Sequence, residues 1–442
     1  MIGLAAWLSG PALLLGAWLV GRAIAGRVAP GAASSPTAAF ASGLVAAHVL
    51  LQLLQVVGWS WSGWWLCGLV AVSGASLLLE RPATAPRPGS ARSEDAVGLG
   101  DLLAVVSVAS VLWAAVTRRI DSPDFVFHWG VKGRKLALAA GMDWSYLSSP
   151  SAWHLHPDYP NLLPELTAWT IRLARSMDAA PQLAWSAVFF AALLLAVREA
   201  LTALDASRWA RQMTLGAVAA AIAGFAFAGE LGGSADWLIA WAVVLAIPAL
   251  ALPDAPGAEL RLAIAAALAA GSKIEGVPLA VAMLGGFALA RRSTGLSSST
   301  LRSLLRTGAP VAAVIVPWLS LCLRHDLFQS TNHGAWSWQR LLAALPELVR
   351  GLFDPLWVGL AATVLLLPWL ALRRPSRWPA VVLLAQTAFY VAIYATAPVD
   401  TALYVRTSWA RLLFHLLPAV WVLAAAAVGR DTAQPVELSG AR

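Results

Sequence analysis

Asp121 and Asp124 stand three residues apart where an apolar run gives way to a dense polar stretch, Arg118 to Pro164. Carboxylates so spaced can share a metal ion. Alternatively, one can act as a general base whose basicity rises as the cavity around it loses water. A local alternative has Asp121 capping the helix after Pro123 and pairing with Arg118 or Arg119. Lys132 lies downstream in FVFHWGVKGRKLALAA, where Val131, Leu136 and Leu138 alternate with Lys132, Arg134 and Lys135. That pattern predicts an amphipathic helix on the membrane surface, its basic face turned to phosphate or to lipid headgroups. The stretch His156-Pro-Asp158-Tyr159-Pro has two prolines that fix an extended turn, holding His156, Asp158 and Tyr159 for substrate contact or simply shaping the chain. Zinc binding by His154 and His156 lacks a third ligand.

Three further places carry charge inside apolar surroundings. Asp236 opens a span in GGSADW, and Lys273 and Glu275 interrupt one in GSKIEGVP. Charges at such depth mark functional cavities or pair to stabilise a helix break. Arg406 and Arg411 lie in RTSWAR, where the last span begins, and arginine suits bidentate phosphate binding as well as interfacial anchoring.

The elements that must position these residues are membrane helices. Of 442 residues, 59% are hydrophobic and 12% charged, and the mean hydropathy is +0.70, far from the roughly 25% charge of soluble domains. The expected fold class is an all-α polytopic membrane protein with about 13 transmembrane helices. These are placed at 2–21, 38–57, 61–80, 99–117, 180–198, 212–228, 236–253, 261–272, 276–290, 307–323, 355–372, 378–396 and 409–428. The segment 163–177 is read as a helix at the membrane edge. The chain is taken as one integral membrane domain, 1–442, with an outer catalytic loop at 118–164 and a second outer loop at 324–354. A Pro/Arg/Ala/Ser-rich linker covers 81–98.

Arginine-bearing connections alternate, so the positive-inside rule puts Arg22, Arg87, Arg208, Arg291 and Arg374 on the cytoplasmic side. The residues with chemistry then share the outer face, and the positives of 118–135 there break the rule unless they meet an anion. The net charge of +8 is explained by arginines facing anionic lipid, and nucleic acid is excluded as a partner. Cys67 and Cys322 both fall in apolar runs and are expected to be buried, unreactive thiols.

Taken in order, DFVFHWGVKGRKLALAAG, HPDYPNLLPELTAW, GGSADWLIA, GSKIEGVPL and RTSWARLLFHLLP resemble the GT-C class of integral-membrane glycosyltransferases, which use polyprenyl-phosphate sugars. The resemblance implies an inverting transferase of the cell envelope, mannosyltransferase- or aminoarabinose-transferase-like. Its catalytic base would be Asp124, its donor a polyprenyl-phosphate-linked sugar, its acceptor a glycan, lipid or protein, and its site would face the periplasm from a bacterial inner membrane. Lys132, Lys273, Arg406 or Arg411 would neutralise the leaving phosphate. The loop lacks an Asp-x-Asp or Glu-x-Asp pair, which leaves a divalent cation such as Mg or Mn an open question. The rival readings are a lipid-linked-sugar flippase or other transporter, and a polysaccharide polymerase or ligase.

Overall fold

Each of the expected apolar runs falls on a helix, and no strand occurs among the described residues. The structure, a computed structural model, describes residues 4–28, 35–79, 97–117, 122–227, 231–294, 297–330, 334–354, 359–397 and 400–431. In chain order the helices are α1 (Leu4–Val28), α2 (Pro36–Val56), α3 (Gly63–Leu79), α4 (Leu99–Val116), α5 (Gly130–Ala139) and α6 (Trp144–Leu147). There follow α7 (Leu162–Ala174), α8 (Ala179–Ala203), α9 (Arg208–Phe227), α10 (Asp236–Ala251), α11 (Ala258–Ser272) and α12 (Gly276–Ser293). The series ends with α13 (Ser297–Arg324), α14 (Trp338–Leu352), α15 (Leu360–Ala371), α16 (Arg377–Ala392), α17 (Thr401–Phe414) and α18 (Leu417–Asp431).

Among the described residues six helices are long and apolar enough to cross a membrane, and seven spans result if α17 and α18, bent by 42°, are counted as one. Several of the remaining runs meet shorter elements, among them α10 with 16 residues, α11 with 15 and α15 with 12. The final span starts at Thr401, earlier than the sequence suggests, and breaks after Phe414.

Apolar exposure divides these helices into two kinds. On α4, Leu99, Leu102, Val105, Val106 and Trp113 are all exposed, as expected of a surface whose solvent is lipid. The opposite holds for α10, which is apolar all round and enclosed by α8, α11, α12, α16, α17 and α18. Such a helix belongs at a core. Asp236, its first residue, is fully buried.

Polar side chains gather at the two ends of the bundle. At one end the Thr37 hydroxyl donates to Glu199 at 2.8 Å, Gln212 Nε2 donates to Asp101 at 2.7 Å, and Arg291 pairs with Glu259. The residues with chemistry occupy the other end.

Part of the 122–164 stretch packs inward on the bundle. Lys132 and Leu136, four apart and so on one helical face, are both buried against α7, whereas Leu138 is 71% exposed. The buried face therefore carries Lys132 together with Leu136, where an all-apolar face was expected, because α5 packs inward on a small core of Leu136, Ala137, Trp169, Trp318 and Leu321. The same packing bears on 163–177. The helix α7 is packed, as expected, and is buried along most of its length between α5, α1 and α8. Cys322 is buried but Cys67 is exposed, contrary to expectation, because α3 turns much of its surface outward.

Candidate functional site

Two turns bring the charged residues together. Ser122 donates from its hydroxyl and its amide to the Gly232 carbonyl at 2.6 and 3.2 Å, docking the 231–235 turn beside the start of the 122–129 segment. Gly233 has φ +66°, and a Cβ there would lie 2.5 Å from the Phe125 ring, so the turn requires glycine. Asp124 then leads a π-helical turn, Phe125–Trp129, a geometry often found where a helix has been adjusted for function. The second turn separates α11 from α12. Lys273 is extended (φ −150°, ψ 161°), and Gly276 restarts the helix where a Cβ would come within 1.9 Å of the Ala269 carbonyl oxygen.

Arg411 joins these pieces. Its Nη1 donates to Asp124 Oδ1 at 3.0 Å and its Nη2 contacts Asp124 Oδ2. Its Nε and Nη2 donate to Asp236 Oδ2 at 3.0 and 2.6 Å. Lys273 Nζ donates to Asp236 Oδ1 at 2.8 Å and lies 3.9 Å from Glu275 Oε1. His415 Nε2 also meets Asp236 Oδ1, at 2.9 Å. A carboxylate only accepts, so Nε2 carries the proton and Nδ1 accepts from the Tyr390 hydroxyl at 2.6 Å. Asp236 is thus the buried hub of the cluster, while the Asp124 side chain keeps 17% of its surface exposed.

The electrostatics of Asp124 follow from this arrangement. Burial by itself raises the carboxyl, but the facing Arg411 guanidinium and, further off, Lys273 outweigh it and hold Asp124 below its ordinary range. In this state Asp124 is ionised, fully engaged and a weak base. Asp124 and Asp236 both face cationic side chains, a donor set that does not suit a divalent cation. The described residues contain no group of three or more His, Cys, Asp or Glu able to hold a metal. Asp121 lies outside the described residues, as do Arg118, Arg119 and Glu230.

The His156–Tyr159 turn sits beside the cluster and is held from beneath by Lys132. The Lys132 ammonium donates to the carbonyls of His156 (3.1 Å) and Tyr159 (3.0 Å) and lies over the Trp318 ring. Trp318 Nε1 donates to the Asp158 carbonyl at 3.0 Å. Full burial pulls Lys132 down to about 8. Lys132 is therefore a structural tie within the protein, not an exposed phosphate ligand. The His156 ring stacks on Tyr159 with centroids 4.6 Å apart and lies 4.7 Å from the His128 ring. Burial, reinforced by His128, Lys132 and Lys273, pulls His156 down to about 3, so it is neutral at any physiological pH. Arg406 stands apart: five residues from Arg411 it points off the cluster and forks Glu347 at 2.9 and 3.0 Å, with its side chain 58% exposed.

Of the residues singled out in the sequence, the structure gathers Asp124, Asp236, Lys273, Glu275 and Arg411. It sets His156, Asp158 and Tyr159 nearby and separates Arg406. The sequence reading missed Tyr390 and His415. A signal for His415 was present, since it follows Arg411 by four residues and is the only ionisable side chain in LLFHLLP. Also missed was a buried set on α2 and α7, in which His48 Nδ1 meets Glu165 Oε2 at 2.6 Å and Gln52 Nε2 meets His48 Nε2 at 2.8 Å.

The helices and this charge cluster define a polytopic α-helical membrane protein. Comparisons with protein-family models, curated proteins and solved structures give no match.

Proposed function

We propose that the protein is a GT-C-type glycosyltransferase with about 13 spans, its site facing the periplasm from a bacterial inner membrane, that moves a sugar from a polyprenyl-phosphate donor to an acceptor hydroxyl. The observation that carries the reading is Arg411, forked across Asp124 and Asp236 where separate polar motifs converge. A phosphate offers a guanidinium the same two-oxygen geometry as a carboxylate. Donor binding takes Arg411 from Asp124, and once that cation turns away the remaining effect of burial raises the carboxyl toward a useful base.

The acceptor hydroxyl then attacks the anomeric carbon while Asp124 takes its proton. The bond from that carbon to the phosphate oxygen breaks, and the lipid phosphate leaves with the electron pair. Arg411 and Lys273 balance its charge, and the configuration inverts. Base activation is thereby coupled to donor occupancy, so an empty site does not deprotonate water.

The test is transfer from a panel of polyprenyl-phosphate sugars by the purified chain in proteoliposomes, with the anomeric configuration of the product read by NMR. Asp124→Asn is expected to lower the rate at least ~10²-fold while the protein remains monodisperse. Transfer by Asp124→Asn at the wild-type rate removes the base assignment. Movement of donor across the vesicle without product would replace the reading with a flippase.

A further inference from the structure

A cavity of about 490 Å³ opens between α1, α2, α3 and α7, within the size range of small-molecule sites. Its wall is almost wholly apolar, including Leu13, Leu44, Leu51, Leu66 and Trp169. Two polar side chains interrupt it, His48 and Glu165. His48 is 1% exposed and Glu165 is 2% exposed. They bond to each other, and Gln52 closes the far side of the imidazole. Among the described residues, Glu165 Oε1 accepts no hydrogen bond, and neither does Gln52 Oε1. A buried acceptor left unmade is costly, and a ligand that supplies a donor recovers that cost.

We infer that this cavity binds a single-chain amphiphile with its hydrogen-bond-donating head at Glu165 and its tail along α1 and α3. Two features define the ligand. The described lining residues include no Lys or Arg, and the lining atom left without a partner is a carboxyl oxygen, Glu165 Oε1. An anionic head brings only acceptor atoms and finds no Lys or Arg there. A hydroxyl or ammonium supplies what Glu165 Oε1 lacks. The polarity is opposite to that of the Arg411 cluster, so the same lipid phosphate cannot satisfy both places. Binding here is independent of the transferase reading, and its measurement needs no turnover.

Cys67 lines the cavity and is exposed, whereas Cys322 is buried. Labelling of Cys67 by a membrane-soluble maleimide in the full-length Cys322→Ala protein in detergent reports occupancy. Four probes share one chain length: hexadecanol, hexadecylamine, hexadecanoate and hexadecane. The alcohol and the amine are expected to protect Cys67 at concentrations about tenfold lower than the other two, the size of one satisfied buried acceptor. In Glu165→Leu that preference disappears, and Ala47→Phe, which fills the cavity, removes protection by all four. Equal protection by the four probes overturns the proposal in favour of a non-selective lipid seat, and strongest protection by hexadecanoate overturns it by demanding a cation. If Glu165→Leu does not fold, the ranking of the four probes on the Cys322→Ala protein decides alone.

Discussion

Replacing Asp236 with asparagine tests whether the cluster is one energetic unit. The carboxylate is fully buried and accepts from Lys273 at 2.8 Å, Arg411 at 2.6 and 3.0 Å and His415 at 2.9 Å. Asparagine keeps the shape but not the charge. Arg411 retains Asp124, but Lys273 is left with Glu275 at 3.9 Å, and its ammonium becomes an ion without a close partner. Breaking a buried pair from one side costs ~3–5 kcal/mol. The surviving Arg411–Asp124 fork places this case near ~3 kcal/mol, about two decades in the folding equilibrium at 1.36 kcal/mol per decade. The double variant Asp236→Asn/Lys273→Met removes the stranded charge and should recover at least about half of that loss. Denaturation in mixed micelles, followed by tryptophan fluorescence, suits this measurement because the buried Trp237 adjoins Asp236. An Asp236→Asn protein within ~1 kcal/mol of wild type, or a double variant no more stable than the single, refutes the coupling.

Within the cluster, Arg411→Lys keeps a charge but loses the fork and should slow transfer ~10²-fold, while Arg406→Ala leaves the rate unchanged; steady-state turnover of both variants in proteoliposomes checks the pair. Gly276→Ala sets a Cβ against the Ala269 carbonyl and should cost ~3 kcal/mol or more, whereas Gly285→Ala in the same helix has open space and should be neutral or slightly stabilising, both read by thermal melting in detergent. Lys132 is held near 8 against an ordinary 10.5, so the unfolded chain binds more protons between those values. Stability of the wild type relative to Lys132→Met should therefore rise as pH goes from 8 to 10, and a flat or falling difference in melting midpoint contradicts the burial.

The membrane class and the helix positions were legible because a chain with so many apolar runs near span length has no way to bury them all in water. Asp236, Lys273 and Arg411 stood out because charge in such runs is costly. Lys132 misled for a physical reason. Its neighbours in sequence, Arg134 and Lys135, suggest a basic face, yet its neighbour on the helix is Leu136, and only the packing of α7 decides which face turns in. Arg406 misled in a similar way, since five residues from Arg411 it lies on a different side of α17 and finds Glu347. The His48–Glu165 pair could not be read at all. Its members are 117 residues apart, and neither differs locally from an isolated polar residue on an apolar helix.

The enclosure of α10 imposes an order on assembly. Asp236 needs three partners, and ribosomal synthesis delivers them at different times. Lys273 follows 37 residues later, about 2 to 7 s at typical elongation rates. Arg411 follows 175 residues later, about 9 to 35 s. For that interval a nascent chain holds a carboxylate at the head of its central helix with lysine as its sole cationic partner. A chain stopped before α17 stays in that state permanently, so the last helices complete the charge balance of the middle one, and a C-terminal truncation acts on the core rather than on the tail.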